Sequence, residues 1–283
     1  MFWINGFLNS FAFGAILFLL AVGFSLIFGL MRVANLAHGA LFMLGGYIAT
    51  SAVGLGFAGA VLAAGAACAV FGGILERTLI RRLAGRELAQ VLGTLGLAFI
   101  IADQCLLIWS GDPIAQPAPE ALRGAVGFGG IVFPAYRLAL VALALVAFVG
   151  IWALVERTTL GARIRAAVDD REMARAMGIP VSRLFTTVFC LGAGLAGIGG
   201  ALAAPIMSVY PGLDSEMLPL ALLVVILGGI GSLTGALAGS LVIGLVYTFG
   251  QMLLPDLAYV ILFLPMVVVL AVRPQGFFGR QAA

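Results

Sequence analysis

The stretch ERTTLGARIRAAVDDREMARAMGIPVSRLF, Glu156 to Phe185, gathers Arg157, Arg163, Arg165, Asp169, Asp170, Arg171, Glu172, Arg175 and Arg183 into a chain that is apolar on both sides of it. Charge at this density belongs in water, so the stretch separates apolar segments that need a bilayer from a polar segment that folds outside it. Its punctuation is that of a short surface helix. Asp169 is placed to cap an N-terminus, with Glu172 three residues on as an Asp variant of the capping box. Gly178 supplies a left-handed C-terminal cap, and Pro180 stops any continuation. Between these signals lie roughly two turns of helix, Asp170 to Met177, with Met173 and Met177 on one face.

Outward from this island the composition is that of a membrane protein. Of 283 residues 63% are hydrophobic and 10% charged, with a mean hydropathy of +1.19; a soluble domain carries about a quarter charged residues. Nine apolar runs follow one another: Phe7–Leu30, Met31–Ala49, Phe57–Leu75, Leu88–Trp109, Leu138–Leu154, Leu184–Met207, Leu218–Ile230, Leu233–Leu253 and Ala258–Val272. Many approach the length of about 20 residues that spans a bilayer, and none alternates as barrel strands do. The expected fold is an all-α polytopic membrane protein with about eight to nine transmembrane helices, some of them broken or re-entrant. It forms a single domain over residues 1–283, with the polar loop at about 156–185. The first run has no basic residue before it and reads as a retained span rather than a secretory signal.

All 15 basic residues are arginine. A phosphate-binding loop needs a lysine to reach the β- and γ-phosphates, which excludes a P-loop ATPase. Apart from Arg123 and Arg137, the arginines fall into four groups: Arg32; Arg77, Arg81, Arg82 and Arg86; Arg157 to Arg183; and Arg273 with Arg280. Alternating spans put all four on one side, while Asp112, Glu120, Asp214, Glu216 and Asp256 occupy the other. By the positive-inside rule the arginine side is cytoplasmic, with the N-terminus periplasmic and the C-terminus cytoplasmic. A net charge of +3 spread in this way reflects membrane orientation, not nucleic-acid binding. Cys68, Cys105 and Cys190 lie far apart in apolar runs, as small buried hydrophobes without metal-ligand spacing.

Several polar or small residues lie within the apolar runs. Asn35 and His38, with Gly39, follow the break after the first span. They either line a pathway as part of a discontinuous helix or satisfy backbone groups freed by the break. Asp103, with Gln104, is an intramembrane carboxylate. It has an interfacial or paired structural role, or it couples an ion-driven secondary carrier. Gly231, Gly235 and Gly239 recur every four residues, the spacing of close helix packing on one face; Ser232 and Thr234 beside them are pathway candidates. HGALFMLGGY (38–47) and TGALAGSLVI (234–243) resemble one another, as repeat-built transporters can. In the polar loop, Met173 and Met177 project from a helix with little chain left to cover them, a pattern suited to docking in a partner's groove.

FSLIFGLMRVANLAHGALFMLGGYIA (24–49) closely resembles the signature of the LivH-type permease subunit of bacterial branched-chain amino acid ABC importers. GGIGSLTGALAG (228–239) and RPQGFFG (273–279) are similar to the same family, and the likeness covers essentially the whole chain. The loop resembles the importers' coupling motif, Glu-Ala-Ala, three residues, then Gly. Glu172, Ala174 and Gly178 match it, and Met173 replaces the first Ala. The resemblance implies a non-enzymatic permease in the bacterial inner membrane that imports leucine, isoleucine and valine by alternating access. Related permeases take urea or short amides. Its implied partners are a second homologous permease subunit, two cytoplasmic ATP-binding subunits that hold ATP and Mg, and a periplasmic substrate-binding protein. This chain itself would hold no cofactor. Asp169, Asp170, Glu172, Met173, Ala174, Met177 and Gly178 would then make the ATPase contact.

Overall fold

A computed structural model describes residues 2–31, 35–128 and 131–279. In chain order the helices are α1 (Phe2–Met31), α2 (His38–Ser51), α3 (Gly56–Leu75, prolonged by a π turn at Glu76–Ile80) and α4 (Glu87–Trp109). A hairpin of β1 (Ala125–Phe128) and β2 (Ile131–Pro134) interrupts them. Then come α5 (Ala135–Arg157), α6 (Thr159–Asp169), α7 (Arg171–Ala176), α8 (Val181–Ala203), α9 (Leu213–Gly228), α10 (Leu233–Leu253) and α11 (Ala258–Val272). Arg32 and Arg280, two of the arginines used to orient the chain, lie outside the described residues.

The fold is all-α and polytopic, but the expectation of eight to nine transmembrane helices is corrected. Among the described residues six helices are long and apolar enough to cross a membrane: α1, α3 with its flanking turns, α4, α5, α8 and α10. The second, seventh and ninth apolar runs form α2, α9 and α11, of 14, 16 and 15 residues. At 1.5 Å per residue these fall short of the roughly 30 Å hydrocarbon core. Specific residues bound two of them. α2 begins only at His38, whose Nε2 donates to the Leu20 carbonyl at 3.0 Å, well inside α1 rather than at its end. Gly229, with φ of +97°, stops α9, and Pro219 lies within it.

Small residues set how these helices meet. A Cβ on Gly23 of α1 would overlap the Gly192 carbonyl of α8, and one on Gly192 would come within 2.7 Å of the Gly23 carbonyl. The two backbones therefore touch at a crossing that admits nothing larger than glycine. Gly45 meets Gly197 and Gly200 meets the Phe42 carbonyl in the same way, seating α2 on α8. With hydrocarbon outside, close van der Waals packing of this kind drives helix association.

Long helix, short helix, long helix occurs twice: α1, α2, α3 and α8, α9, α10. α1 packs antiparallel along α10, from Gly6 beside Phe249 to Gly29 beside Gly231; α8 packs antiparallel along α3, from Cys190 beside Gly73 to Ile198 beside Gly65. Because α1 and α8 also run antiparallel, the triplets form an inverted repeat, a frequent basis of transporter folds. Within it α2 corresponds to α9. The resemblance between residues 38–47 and 234–243 pairs α2 with α10 instead, so it does not mark this repeat.

The arginine groups assemble at one end of the bundle. Arg81, after α3, reaches Thr186 of α8, while Gly229 near the start of α10 packs against Gln275 and Gly279 of the tail. Trp3 stacks on Phe249 at the opposite end. The segment between α4 and α5 there carries the β1–β2 hairpin, and Ile114 bridges to Val209 beside it.

Candidate functional site

At the arginine end the loop 156–185 folds into two helices, one more than its punctuation suggests. α6 is N-capped by Thr158, whose hydroxyl accepts from Gly161 N, and it consumes Asp169 as its last residue. The cap of α7 is therefore Asp170, not Asp169. Its carboxylate accepts from Glu172 N and Met173 N, both at 2.9 Å. Backbone geometry explains the shift: Asp170 sits in the extended conformation an N-cap requires, at φ −147°. At the other end Gly178 has φ of +80°, and Ile179 N bonds to the Ala174 carbonyl, so the left-handed stop stands where the sequence puts it.

The loop is not a free appendage. Ala167 and Ala174 are buried against Leu30 and Met31 of α1, Leu75 and Ile80 at the end of α3, and Val181 and Leu184 of α8. Burying one face of α7 turns the other outward. Met173 is 59% exposed and Met177 76%, and Glu172 is exposed beside them. Beside this surface opens a cleft of about 710 Å³, lined by Glu76, Arg81, Gln90, Asp170, Arg171 and Phe185 among others.

One wall of the cleft holds a polar cluster that the pass along the chain leaves unassigned. Glu76 is 1% exposed and accepts from Arg81 at 2.7 and 3.1 Å and from the Thr186 hydroxyl at 2.8 Å. Arg81 Nη2 also donates to Thr186 Oγ1 and to the Ser182 carbonyl. A buried carboxylate held by an ion pair and a hydroxyl locks the end of α3 to the start of α8. The signal in the sequence is an acid closing an apolar run and followed by arginines, which by itself reads as a span boundary.

Deeper in the bundle, Asn35 and His38 are buried, at 1% and 0% exposure. Asn35 Oδ1 accepts from Ala37 N, the Leu36 N–H donates to Thr94 Oγ1 of α4, and the Asn35 carbonyl accepts from His38 N. These bonds satisfy backbone at the start of α2. Gly39 lies against the backbone of Asp214, so the first turn of α2 faces the first turn of α9.

The remaining candidates separate. Ser232 caps α10 by accepting from Gly235 N at 3.0 Å, and Thr234 is exposed beside it. Gly235 and Gly239 lie on α10 against the Gly228 and Val224 carbonyls of α9. Gly231 does not share their helical face: it occupies a left-handed turn before α10, at φ +75°, and packs on Gly29. Asp103 is exposed on α4, with Phe99, Ile100, Leu106 and Pro211 around it. Among the described residues no three His, Cys, Asp or Glu side chains come together to hold a metal, and the three cysteines are unpaired.

The chain is 28% identical to a high-affinity branched-chain amino acid transport system permease protein, BraD, of Pseudomonas aeruginosa, over 96% of this chain and 94% of the relative. It is 25% identical to the corresponding LivH protein of Escherichia coli strain K12, over 99% and 96%. It is 31% identical to an L-arabinose ABC transporter permease protein, AraH, of Azospirillum brasilense, over 69% and 56%. No solved structure matches it. The family described as branched-chain amino acid transport system / permease component matches residues 6–270, nearly the whole of the six-helix bundle and its capped loop, and the chain belongs to that family.

Proposed function

We propose that this permease subunit imports leucine, isoleucine and valine across the inner membrane, and that separate ATPase subunits drive it by docking on α7. The observation that carries the docking half is the pair Met173 and Met177, exposed on a helix whose opposite face is anchored to α1, α3 and α8. Adaptable thioether side chains on a rigidly capped helix suit insertion into a partner's groove. Positive-inside orientation places this end in the cytoplasm, where ATP is. The substrate class follows the relatives named for branched-chain amino acids, which align along nearly the full chain, whereas the L-arabinose permease shares a shorter region.

The proposed assembly holds this chain, a second homologous permease subunit, two ATP-binding subunits and a periplasmic binding protein. Asp170 and Gly178 shape the docking helix, Glu172, Met173 and Met177 touch the ATPase, and Ala174 seats the helix on the bundle. Asn35, His38 and Gly39 hold the break between α1 and α2 at the mouth of the pathway. Ser232 and Thr234 shape the break between α9 and α10.

Reconstitution of the whole assembly in liposomes tests the reading. Labelled leucine enters only with ATP, and isoleucine and valine compete while L-arabinose does not. Met173→Glu and Met177→Glu together abolish uptake, although exposed substitutions of this kind change fold stability by only about 0.5 kcal/mol. Uptake that persists without ATP, or that the double substitution leaves intact, contradicts the proposal.

A further inference from the structure

We infer that Arg171 is a positioning residue that ties α7 to the two helices crossing at the centre of the bundle, so that movement of the docked helix reaches the pathway. The inference rests on the reading of α7 as the ATPase-docking helix. Arg171 is the first residue of α7, directly after the capping Asp170. Its Nη2 donates to the Leu30 carbonyl at 3.0 Å, and its guanidinium lies 5.1 Å from the centre of the Phe185 ring. Leu30 lies in the last turn of α1 and Phe185 in the first turns of α8. One side chain therefore joins the docking helix to both.

The chemistry suits the task. The last four carbonyls of a helix have no partner within it and carry the negative end of its dipole. A guanidinium donating to the Leu30 carbonyl satisfies one of them with a charge-assisted bond. The planar cation simultaneously stacks on an aromatic face, which a lysine ammonium cannot reproduce. Arg171 is half-buried, whereas Arg163, Arg175 and Arg183 of the same loop are exposed, so it is set apart from the general basic surface. Two turns further along α1 comes Gly23, in backbone contact with Gly192 of α8. A displacement of α7 thus acts on both members of that crossing at once. Nearer α3, the Glu76–Arg81–Thr186 cluster fixes the start of α8 and gives the displacement a firm footing.

The test uses the complete assembly in liposomes and reads three quantities: ATPase subunit retained on purification, ATP hydrolysed, and labelled leucine taken up. With Arg171→Ala the ATPase is retained and hydrolysis continues, but leucine moved per ATP falls about tenfold, the order expected for losing one charge-assisted hydrogen bond. Arg171→Lys gives an intermediate ratio, since it donates to Leu30 without stacking on Phe185. Arg163→Ala leaves the ratio unchanged. An unaltered ratio in Arg171→Ala overturns the inference. Loss of the ATPase from both Arg171 variants also overturns it, because Arg171 is then a docking contact, and the docking reading survives. If the unsubstituted assembly retains no ATPase, the docking reading fails and the inference with it. Should Arg171→Ala not assemble, Arg171→Lys decides between the same outcomes.

Discussion

Asp170 caps the N-terminus of α7, accepting two of the backbone N–H groups that a helix start leaves without partners. Asp170→Ala should therefore loosen α7 by about 1 kcal/mol, the usual cost of losing such a cap. Limited proteolysis of the purified chain between Arg165 and Arg183 reads this loosening, and Asp169→Ala should leave the cleavage rate near that of the unsubstituted chain. An equal response from the two variants would mean that the cap is not the single residue seen here. The neighbouring aspartates also mark what sequence can resolve. That a helix starts here and stops at Gly178 is legible from residue types alone. Which aspartate caps it depends on where α6 ends, and α6 is set by burial of Ala167 against the bundle, a tertiary contact. Arg171 was legible only as one more loop arginine, since its partners Leu30 and Phe185 are distant or unremarkable in sequence.

Helix contacts in this bundle depend on glycine at some places and tolerate replacement at others. A Cβ at position 23 would overlap the Gly192 carbonyl, whereas one at Gly150, on the outer face of α5, would meet nothing within 4 Å. Gly23→Ala should cost about 1–3 kcal/mol, as overpacking does, and Gly150→Ala should be neutral or stabilising by up to about 1 kcal/mol. Thermal unfolding of the detergent-solubilised variants measures both; a Gly23→Ala chain as stable as the parent would remove backbone contact as the reason for the crossing. Apolar runs in the sequence locate α1 to α5 and α8 to α11, but neither α6 and α7 nor the hairpin. The second run overstates the length of α2, because hydropathy does not register where a helix begins within a run. α2 starts at His38 rather than Met31 because His38 is held at Leu20, and that bond joins residues of two different runs. Equal spacing likewise groups Gly231 with Gly235 and Gly239, although its left-handed backbone takes it out of the helix.

For the whole molecule, the six helices among the described residues that are long enough to cross a membrane and membership of the permease family make this an integral protein of the inner membrane. It is a transport subunit and not an enzyme. The described arginine groups, scattered in sequence, converge on one end in space, and α7 lies among them. That convergence was readable from charge placement; the inverted repeat was not, because its halves are related by packing geometry and share no motif. Orientation can be checked with a membrane-impermeant thiol reagent on intact cells: Gly127→Cys, in β1, should label from outside, and Arg175→Cys, on α7, only after the membrane is opened. The reverse pattern would place α7 on the wrong side for the proposed contact with the ATPase. The most direct test of the account joins its two ends. With Met177→Cys carrying a short photo-activated cross-linker, irradiation of membranes containing the full assembly should join this chain to the ATP-binding subunit, while the same label at Gly127→Cys should not. A cross-link at position 127 and none at position 177 would contradict a permease driven through α7.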